Sequence, residues 1–404
     1  MNIVPQIEIK RLAIKLRPIG EKMVKKGHPW VFADSIIKQN SDGNAGDLAI
    51  VYDKKANNII AIGLYDPVSP IRIKLIQFKK AVQIDSKWFQ TRILESYTIR
   101  KPLLKTDTNS YRLIFGENDH MPGFIADVYD TVLVVKLYSH IWFPYLNDII
   151  PRLIDQTGCT TAVLRLSRAL QTSEKTYNLY DGQVIYGILE NEVVIFREHG
   201  VLFSANVIKG HKTGYFLDHR DNRKHVGLIS KGKTVLDVFS YAGGFSVHAL
   251  AGGANEVISL DISRQALKMA EENAALNHHS GKHSIIVADA FDGLQKLINN
   301  GNQFDVIVID PPSFAKKELE VSKAKNSYAR LARLGAKLIK PNGTLVLASC
   351  SSRVTSEDFF EISEQNILKE GKKYTLLKKT YHDIDHPITF PEGAYLKCGY
   401  YQVT

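Results

Sequence analysis

The sequence predicts an α/β protein whose C-terminal half is an open, mostly parallel sheet with a ligand site along the carboxyl ends of its strands. Three observations carry this. Val235 to Val238 is a short apolar run of the kind that forms a buried parallel strand, and the Gly243-Gly244 turn and a helix opening at Phe245 follow it. Further apolar runs recur between helical segments: Glu256 to Asp261, Ser284 to Asp289, Phe304 to Asp310 and Thr344 to Ala348. Asp237, Asp261, Asp289 and Asp310 each fall at the end of such a run, where open α/β sheets bind ligands. One strand-end Asp reads as a helix cap, whereas four in phase argue for a site.

The glycine turn puts small residues where a ligand must approach the backbone. Asp261 follows Asp237 by 24 residues, a spacing that suits a carboxylate on ribose hydroxyls. Ser263 caps a helix running to Asn277, with Ala266, Leu267, Ala270 and Ala274 as its apolar stripe. The turn lacks the three glycines of a dinucleotide fingerprint and carries Asp237 inside the strand end. It resembles motif I of S-adenosylmethionine (SAM) methyltransferases, in which the acid lies near the ligand's methionine part; an ordinary α/β turn is the plainer reading. The resemblance implies a Rossmann-like class I domain that binds SAM. The candidate cofactor-binding residues are Tyr215, Asp218, Arg220, Asp237, Phe239, Ser240, Gly243, Gly244, Asp261, Ile262, Ser263, Asn277, Asp289, Ala290 and Asp310. Asp261 is assigned to the ribose, and Asp289 with Ala290 to the adenine.

At 404 residues and 44 % apolar composition the chain can bury the cores of two or three domains. No run approaches the roughly 18 apolar residues of a membrane span. The polar, basic N-terminus lacks a signal-peptide core. Cys159, Cys350 and Cys398 are too few for a disulfide framework and show no metal spacing. The expectation is a soluble, cytoplasmic protein without a metal. The formal net charge is +10, and residues 1–80 hold 14 Lys/Arg against 7 Asp/Glu, so +7 lies in the first fifth. Such an end domain suits an anionic partner, most simply nucleic acid, or is a basic solvated surface.

Ile7 to Leu16 alternates apolar and polar residues as a half-buried strand does, and Gly20 to Lys26 is a short basic helix. Leu48 to Val51, Ile59 to Leu64 and Ile71 to Ile76 are further strands, so residues 1–80 make a small basic β barrel. Its Trp30 and Phe32 either stack on bases or fill the core, since small barrels need large side chains inside. Residues 81–190 are a central α+β segment. It has helices at Trp88 to Ile99 and Trp142 to Asp155. Its strands are Tyr111 to Phe115, Phe124 to Val128, Thr131 to Leu137, Thr161 to Leu166 and Val184 to Ile188, with a polar loop before the last. Residues 191–404 open with a hairpin, Glu192 to Phe196 and Val201 to Ser204, and the polar stretch 210–223. In that stretch Tyr215, Asp218 and Arg220 either line a pocket or begin a solvated helix.

Several blocks stand together in order: GHPWVF at 27–32, YRLIFGENDHMPGF at 111–124, GHKTGYFLDHRDNR at 210–223, DVFSYAGGFS at 237–246, DPPSFA at 310–315 and PEGAYLK at 391–397. With them the chain resembles, over essentially its whole length, the family of bacterial 23S ribosomal RNA large-subunit methyltransferase I. The resemblance implies an N-terminal PUA-like RNA-binding domain, a small central domain, a SAM domain, and 5-methylcytosine made in 23S rRNA. The chain departs from the family pattern at Ala33-Asp34, His120, His211 and His219. A homodimer is the candidate assembly.

Cytosine C5 is a poor nucleophile until a thiolate adds at C6, so this chemistry needs a cysteine beside the cofactor's methyl group. Cys350 ends the fifth strand, whereas Cys159 falls in the central segment and Cys398 in a terminal hairpin strand. Cys350 is therefore the candidate nucleophile, with a small buried residue as its bland reading. Asp310 is the candidate group for the N3/N4 edge of the base, Pro311 and Pro312 stiffen the loop, and Phe314 and Trp30 are candidate base-binding residues. Two other readings stay open. One is methylation of an exocyclic or amide nitrogen through the DPPSF loop, without a cysteine. The other is a non-catalytic RNA-binding protein of ribosome assembly.

Overall fold

The computed structural model describes residues 3–172 and 177–404. The polar stretch expected as a loop before Val184 therefore lies partly outside the described residues. The chain forms two compact units: residues 1–197, 204–217 and 384–391, and residues 198–203, 218–383 and 392–404.

The first unit begins with β1 (Arg11–Leu16), α1 (Pro18–Lys25), β2 (Trp30–Phe32), β3 (Ile36–Gln39), β4 (Leu48–Tyr52), β5 (Ile59–Tyr65) and β6 (Ile71–Phe78). Their six-stranded sheet has the order β2-β6-β5-β4-β1-β3, with β1 and β4 parallel and the other pairs antiparallel. Pro18 opens α1, where a missing N–H costs nothing. β1 keeps the expected period-2 alternation, with Leu12, Ile14 and Leu16 buried and Arg11 and Ala13 exposed, whereas β4, β5 and β6 carry buried residues on both faces. Leu12, Ile14, Val51, Ile73 and Leu75 pack with Val24 of α1, while Leu48, Ile62, Leu64 and Ile76 face the next segment's core. The strand expected from Ile7 starts only at Arg11, because the Lys10 N–H bonds to Asp47 Oδ1 at 2.9 Å rather than joining a ladder.

The next elements are α2 (Ser86–Arg100), β7 (Ser110–Phe115), β8 (Phe124–Tyr129), β9 (Val132–Leu137), α3 (Leu146–Thr157), β10 (Thr161–Leu166), α4 (Arg168–Gln171) and β11 (Gln183–Tyr186). They form a five-stranded sheet, β11-β10-β9-β8-β7, in which only β9 and β10 are parallel, joined through α3. The helix expected from Trp142 begins at Leu146. Pro144 has no N–H to give to an α-helical ladder, and His140–Tyr145 is a 3-10 helix. Arg100, fully buried, holds Asp119 through two bonds of 2.7 and 2.5 Å and the Asp385 carbonyl at 3.2 Å, which secures segment 384–391 in this unit. β12 (Val193–Glu198) and β13 (Val201–Asn206) pair as a two-stranded sheet.

The second unit contains α5 (Arg220–Ile229), β14 (Thr234–Val238), α6 (Gly244–Ala251), β15 (Glu256–Asp261), α7 (Arg264–Ala275), β16 (Lys282–Val287) and α8 (Ala290–Asn299). It continues with β17 (Phe304–Ile309), α9 (Val321–Leu338), β18 (Ile339–Ser349), α10 (Ser356–Lys369), β19 (Tyr374–Thr380) and β20 (Lys397–Val403). The seven strands lie in the order β16-β15-β14-β17-β18-β20-β19, parallel from β16 to β18 and antiparallel beyond. The order reverses at β14, so the β14/β17 border is the switch point at which such sheets bind ligands. β19 escapes the hydrophobic pattern because it is an edge strand whose Thr375 to Lys379 are exposed. Cys398 belongs to an interior strand, not merely a terminal hairpin: β20 lies between β18 and β19, and Cys398 faces Ala348. Among the described residues no helix is long and apolar enough to cross a membrane.

Candidate active site

The strand-end cluster of the second unit starts where β14 stops. Phe239 and Tyr241 take left-handed backbone, φ 63° and 47°, and Gly243 follows with φ 77°. A Cβ on Gly243 would lie 2.7 Å from Ala270 Cβ, so the approach of α7 demands glycine there. Asn273 Nδ2 braces the turn by donating to the Ala242 carbonyl at 2.9 Å. Gly244 opens α6, and Ser246 in its first turn gives its N–H and hydroxyl to Asp237 Oδ2 at 3.0 and 2.7 Å. Burial pushes the Asp237 carboxyl up to about 7, although both Ser246 bonds pull it down. Among the described residues, Asp237 Oδ1 and Ser240 Oγ are buried with no hydrogen-bond partner.

Asp261 spans the turn: Oδ2 accepts from Tyr241 N at 3.0 Å and Oδ1 from Ser263 N at 2.9 Å. Ser263 caps α7 as expected, accepting from Ala266 N at 3.2 Å. Ile262 between them is 72 % exposed, an apolar side chain held open at a strand end. Asp289 is a helix cap, its Oδ1 accepting from Phe291 N at 2.9 Å and Asp292 N at 3.4 Å, and Ala290 is the buried first residue of α8. Asn277 lies past the far end of α7, away from the strand carboxyl ends. Its amide is engaged with the Leu202 backbone, 2.8 Å to O and 2.8 Å from N, and with Asn273 O at 2.9 Å. That position is a structural tie.

Across the switch point, Asp310 follows β17. His219 Nε2 lies 3.4 Å from its Oδ1. Burial alone would push the His219 imidazole down, but the Asp310 carboxylate outweighs it and the net shift is upward. Asn222 Nδ2 sits 3.0 Å from His219 Nδ1, and Asn222 Oδ1 accepts from Thr380 Oγ1 at 2.7 Å and Tyr400 OH at 2.9 Å. Asp218 accepts from Tyr395 OH at 2.8 Å, and Arg220 is fully buried at the start of α5. Pro311 is buried and Pro312 exposed, while Phe314 packs against Tyr328 with ring centroids 5.2 Å apart and Phe239 at 6.5 Å. Cys350, half-buried just after β18, points Sγ at the Pro311 carbonyl, 3.4 Å away. Two candidates belong to the first unit. Tyr215 is buried against Phe196, centroids 5.1 Å apart, and Trp30 is half-buried, edge-on to Phe390 at 5.2 Å, with Nε1 donating to Glu117 at 3.0 Å.

Residues 119–391 match the model of the S-adenosylmethionine-dependent methyltransferase family, and residues 14–78 match a PUA-like domain. A ribosomal RNA large subunit methyltransferase of Deinococcus radiodurans is 40 % identical, over 99 % of this chain and 99 % of its own. Ribosomal RNA large subunit methyltransferase I of Tolumonas auensis is 34 % identical, over 95 % of this chain and 97 % of its own. The chain belongs to the SAM-dependent ribosomal RNA large-subunit methyltransferase family. Two solved chains share its fold at 23 % identity. One, complexed with SAH, has TM-score 0.81 and covers 98 % of this methyltransferase and 100 % of itself; the other, from Streptococcus mutans, has 0.80, with 96 % and 99 % covered.

The cofactor of this methyltransferase is SAM, and the residues present fit it. The orphaned Asp237 Oδ1 and Ser240 Oγ are acceptors suited to an ammonium, and the Gly243 turn is a cradle that a side chain would fill. His219, just before α5, and Lys397, the first residue of β20, are site residues that the sequence does not single out. His219 stands between Asp218 and Arg220 but reads there only as a departure from a pattern. Lys397 reads only as part of the closing block.

Proposed function

We propose that this methyltransferase makes 5-methylcytosine in large-subunit ribosomal RNA, with Cys350 as nucleophile. Its relatives' names supply the rRNA, and the state of the three cysteines supports the thiol. Cys159 and Cys398 are buried, and burial pushes the first thiol up to about 11 and the second well above the usual range. Cys350 alone is half-buried at a strand carboxyl end, against the loop that carries Asp310. Cys398, although opposite Ala348, is thus set aside by burial rather than by its address.

Bound SAM supplies an electrophilic methyl group. The Cys350 thiolate adds to C6 of the base and makes C5 nucleophilic toward that methyl. After transfer a base removes the C5 proton, the electron pair re-forms C5–C6, and the C6–S bond breaks to return the thiolate. Asp310 takes the N3/N4 edge and Phe314 a face of the splayed base, in a loop stiffened by Pro311 and Pro312. Asp237, Ser240, Gly243 and Gly244 take the cofactor's methionine part, Asp261 its ribose, and Ile262 with Ala290 its adenine. The PUA-like domain holds RNA, the action is cytoplasmic, and the division at residues 80 and 190 describes the domains. A reading on an exocyclic nitrogen keeps the Asp310–Phe314 loop and dispenses with Cys350.

The test is Cys350→Ala with rRNA lacking the modification. Cofactor and RNA binding should persist while methylation falls by several orders of magnitude. An RNA carrying 5-fluorocytosine should trap wild type as a denaturant-resistant adduct. An active Cys350→Ala enzyme, with no adduct in wild type, transfers the assignment to the exocyclic nitrogen.

A further inference from the structure

Lys397 opens β20 opposite Ser349, the last residue of β18, and is 2 % exposed. Its ammonium is buried with no carboxylate bonded to it among the described residues. It donates to the Ser351 carbonyl, to Val354 O at 2.6 Å and to Tyr395 O at 3.3 Å. Carbonyls orient an ammonium but do not neutralise it, and an uncompensated buried charge is costly. The bonded carbonyls of Ser351 and Val354 belong to the loop that follows Cys350.

We infer that Lys397 is a positioning residue, whose buried ammonium stabilises the Cys350 thiolate and fixes the loop that presents it. One neighbour opposes a thiolate. Asp310 stands at the end of β17 beside Pro311, whose carbonyl faces Sγ at 3.4 Å. Tyr328 of α9 stays neutral here, since burial pushes its phenol well up, and its OH accepts from Ser349 Oγ at 2.9 Å. His219 is already paired with Asp310. Burial draws the Lys397 pKa down to about 8, against the upward pull of Cys350 and, less, of Glu357 of α10. A lysine tuned this near to an ordinary thiol keeps its proton best when the thiol has lost its own to solvent.

The inference deepens the cysteine reading above and takes its functional meaning from it, but its test needs neither RNA nor turnover. In the full-length protein, the rate of Cys350 alkylation by iodoacetamide is followed against pH by peptide mass spectrometry. Wild type should titrate below the ordinary thiol value of about 8.5. Lys397→Met should move the midpoint up by about one unit, an alkylation rate roughly tenfold lower at neutral pH. A wild-type midpoint at or above that of a free thiol overturns the inference without any variant. So does a Lys397→Met protein that melts cooperatively, binds SAM and keeps the wild-type midpoint. Trapping by 5-fluorocytosine separates the two ideas. No adduct beside a shifted midpoint removes cysteine catalysis and leaves the Lys397–Cys350 pair, whereas an adduct beside an unshifted midpoint removes only the role of Lys397.

Discussion

Asp237 and Asp261 are both strand-end carboxylates, yet their surroundings set them to different tasks. Asp237 is 1 % exposed and its carboxyl is pushed up to about 7 by burial. The folded state therefore holds a proton that the unfolded chain releases near the usual carboxylate range. Stability from this group is present at low pH and is lost as pH rises toward and through 7. A cationic ligand reverses the preference, because it needs the carboxylate. SAM affinity should rise between about pH 6 and 8, and Asp237→Asn should flatten that profile; calorimetry showing the same slope in the variant would separate Asp237 from the ammonium. Asp261 instead has both oxygens on backbone N–H groups of the turn. Asp261→Ala should weaken SAM binding by roughly 1–3 kcal/mol. Unchanged affinity by calorimetry would leave Asp261 a brace and nothing more. At this scale the motif is legible in the sequence, but Asp289 shows the limit. A strand-end acid in sequence is equally a helix cap, and the bonds to Phe291 and Asp292 show that Asp289 caps α8.

The glycine turn between β14 and α6 is the element on which the cluster depends. Gly243 combines φ 77° with a Cβ position 2.7 Å from Ala270, whereas Gly301 has φ 71° and open space around it. Gly301→Ala should cost only backbone strain, about 1 kcal/mol, and Gly243→Ala about 1–3 kcal/mol more from overpacking against α7. Urea denaturation of both variants checks this, and equal losses would mean that close packing of α7 on the turn does not matter. Elements of strong periodicity, such as α7 with its alanine stripe and Ser263 cap, are readable because their signals are local. β19 is not, since its pairing with β20 comes from position at the sheet edge and not from a hydrophobic pattern.

For the molecule as a whole, the basic excess of residues 1–80 cannot be tested by deletion. Leu48, Ile62, Leu64 and Ile76 share a core with Leu113, Phe124 and Trp142, so removal would strip the central sheet. The usable test removes charge from exposed side chains: Lys22, Lys26, Lys54 and Lys55 to Gln together. If they meet phosphates, RNA affinity should fall and its log–log salt slope should lessen by about 0.7 for each phosphate no longer neutralised, up to about 3 in all. A salt slope equal to wild type in filter binding would make this excess a surface property without a partner.

The chain order of the β/α alternation from β14 to β18, the glycine turn and the acids at strand ends were decided by the sequence itself, because apolar period, turn chemistry and caps act between residues close in the chain. Which cysteine is accessible was decided only by tertiary structure. Cys398 lies within β20 and Cys350 just past the end of the neighbouring β18, and burial by the packed sheet distinguishes them. The same holds for the Asp310 partner His219, 91 residues away, and for Lys397, 47 residues beyond Cys350. Strand order brings these groups together, and the charge environment of a thiol or carboxyl depends on distances in space that sequence separation does not encode.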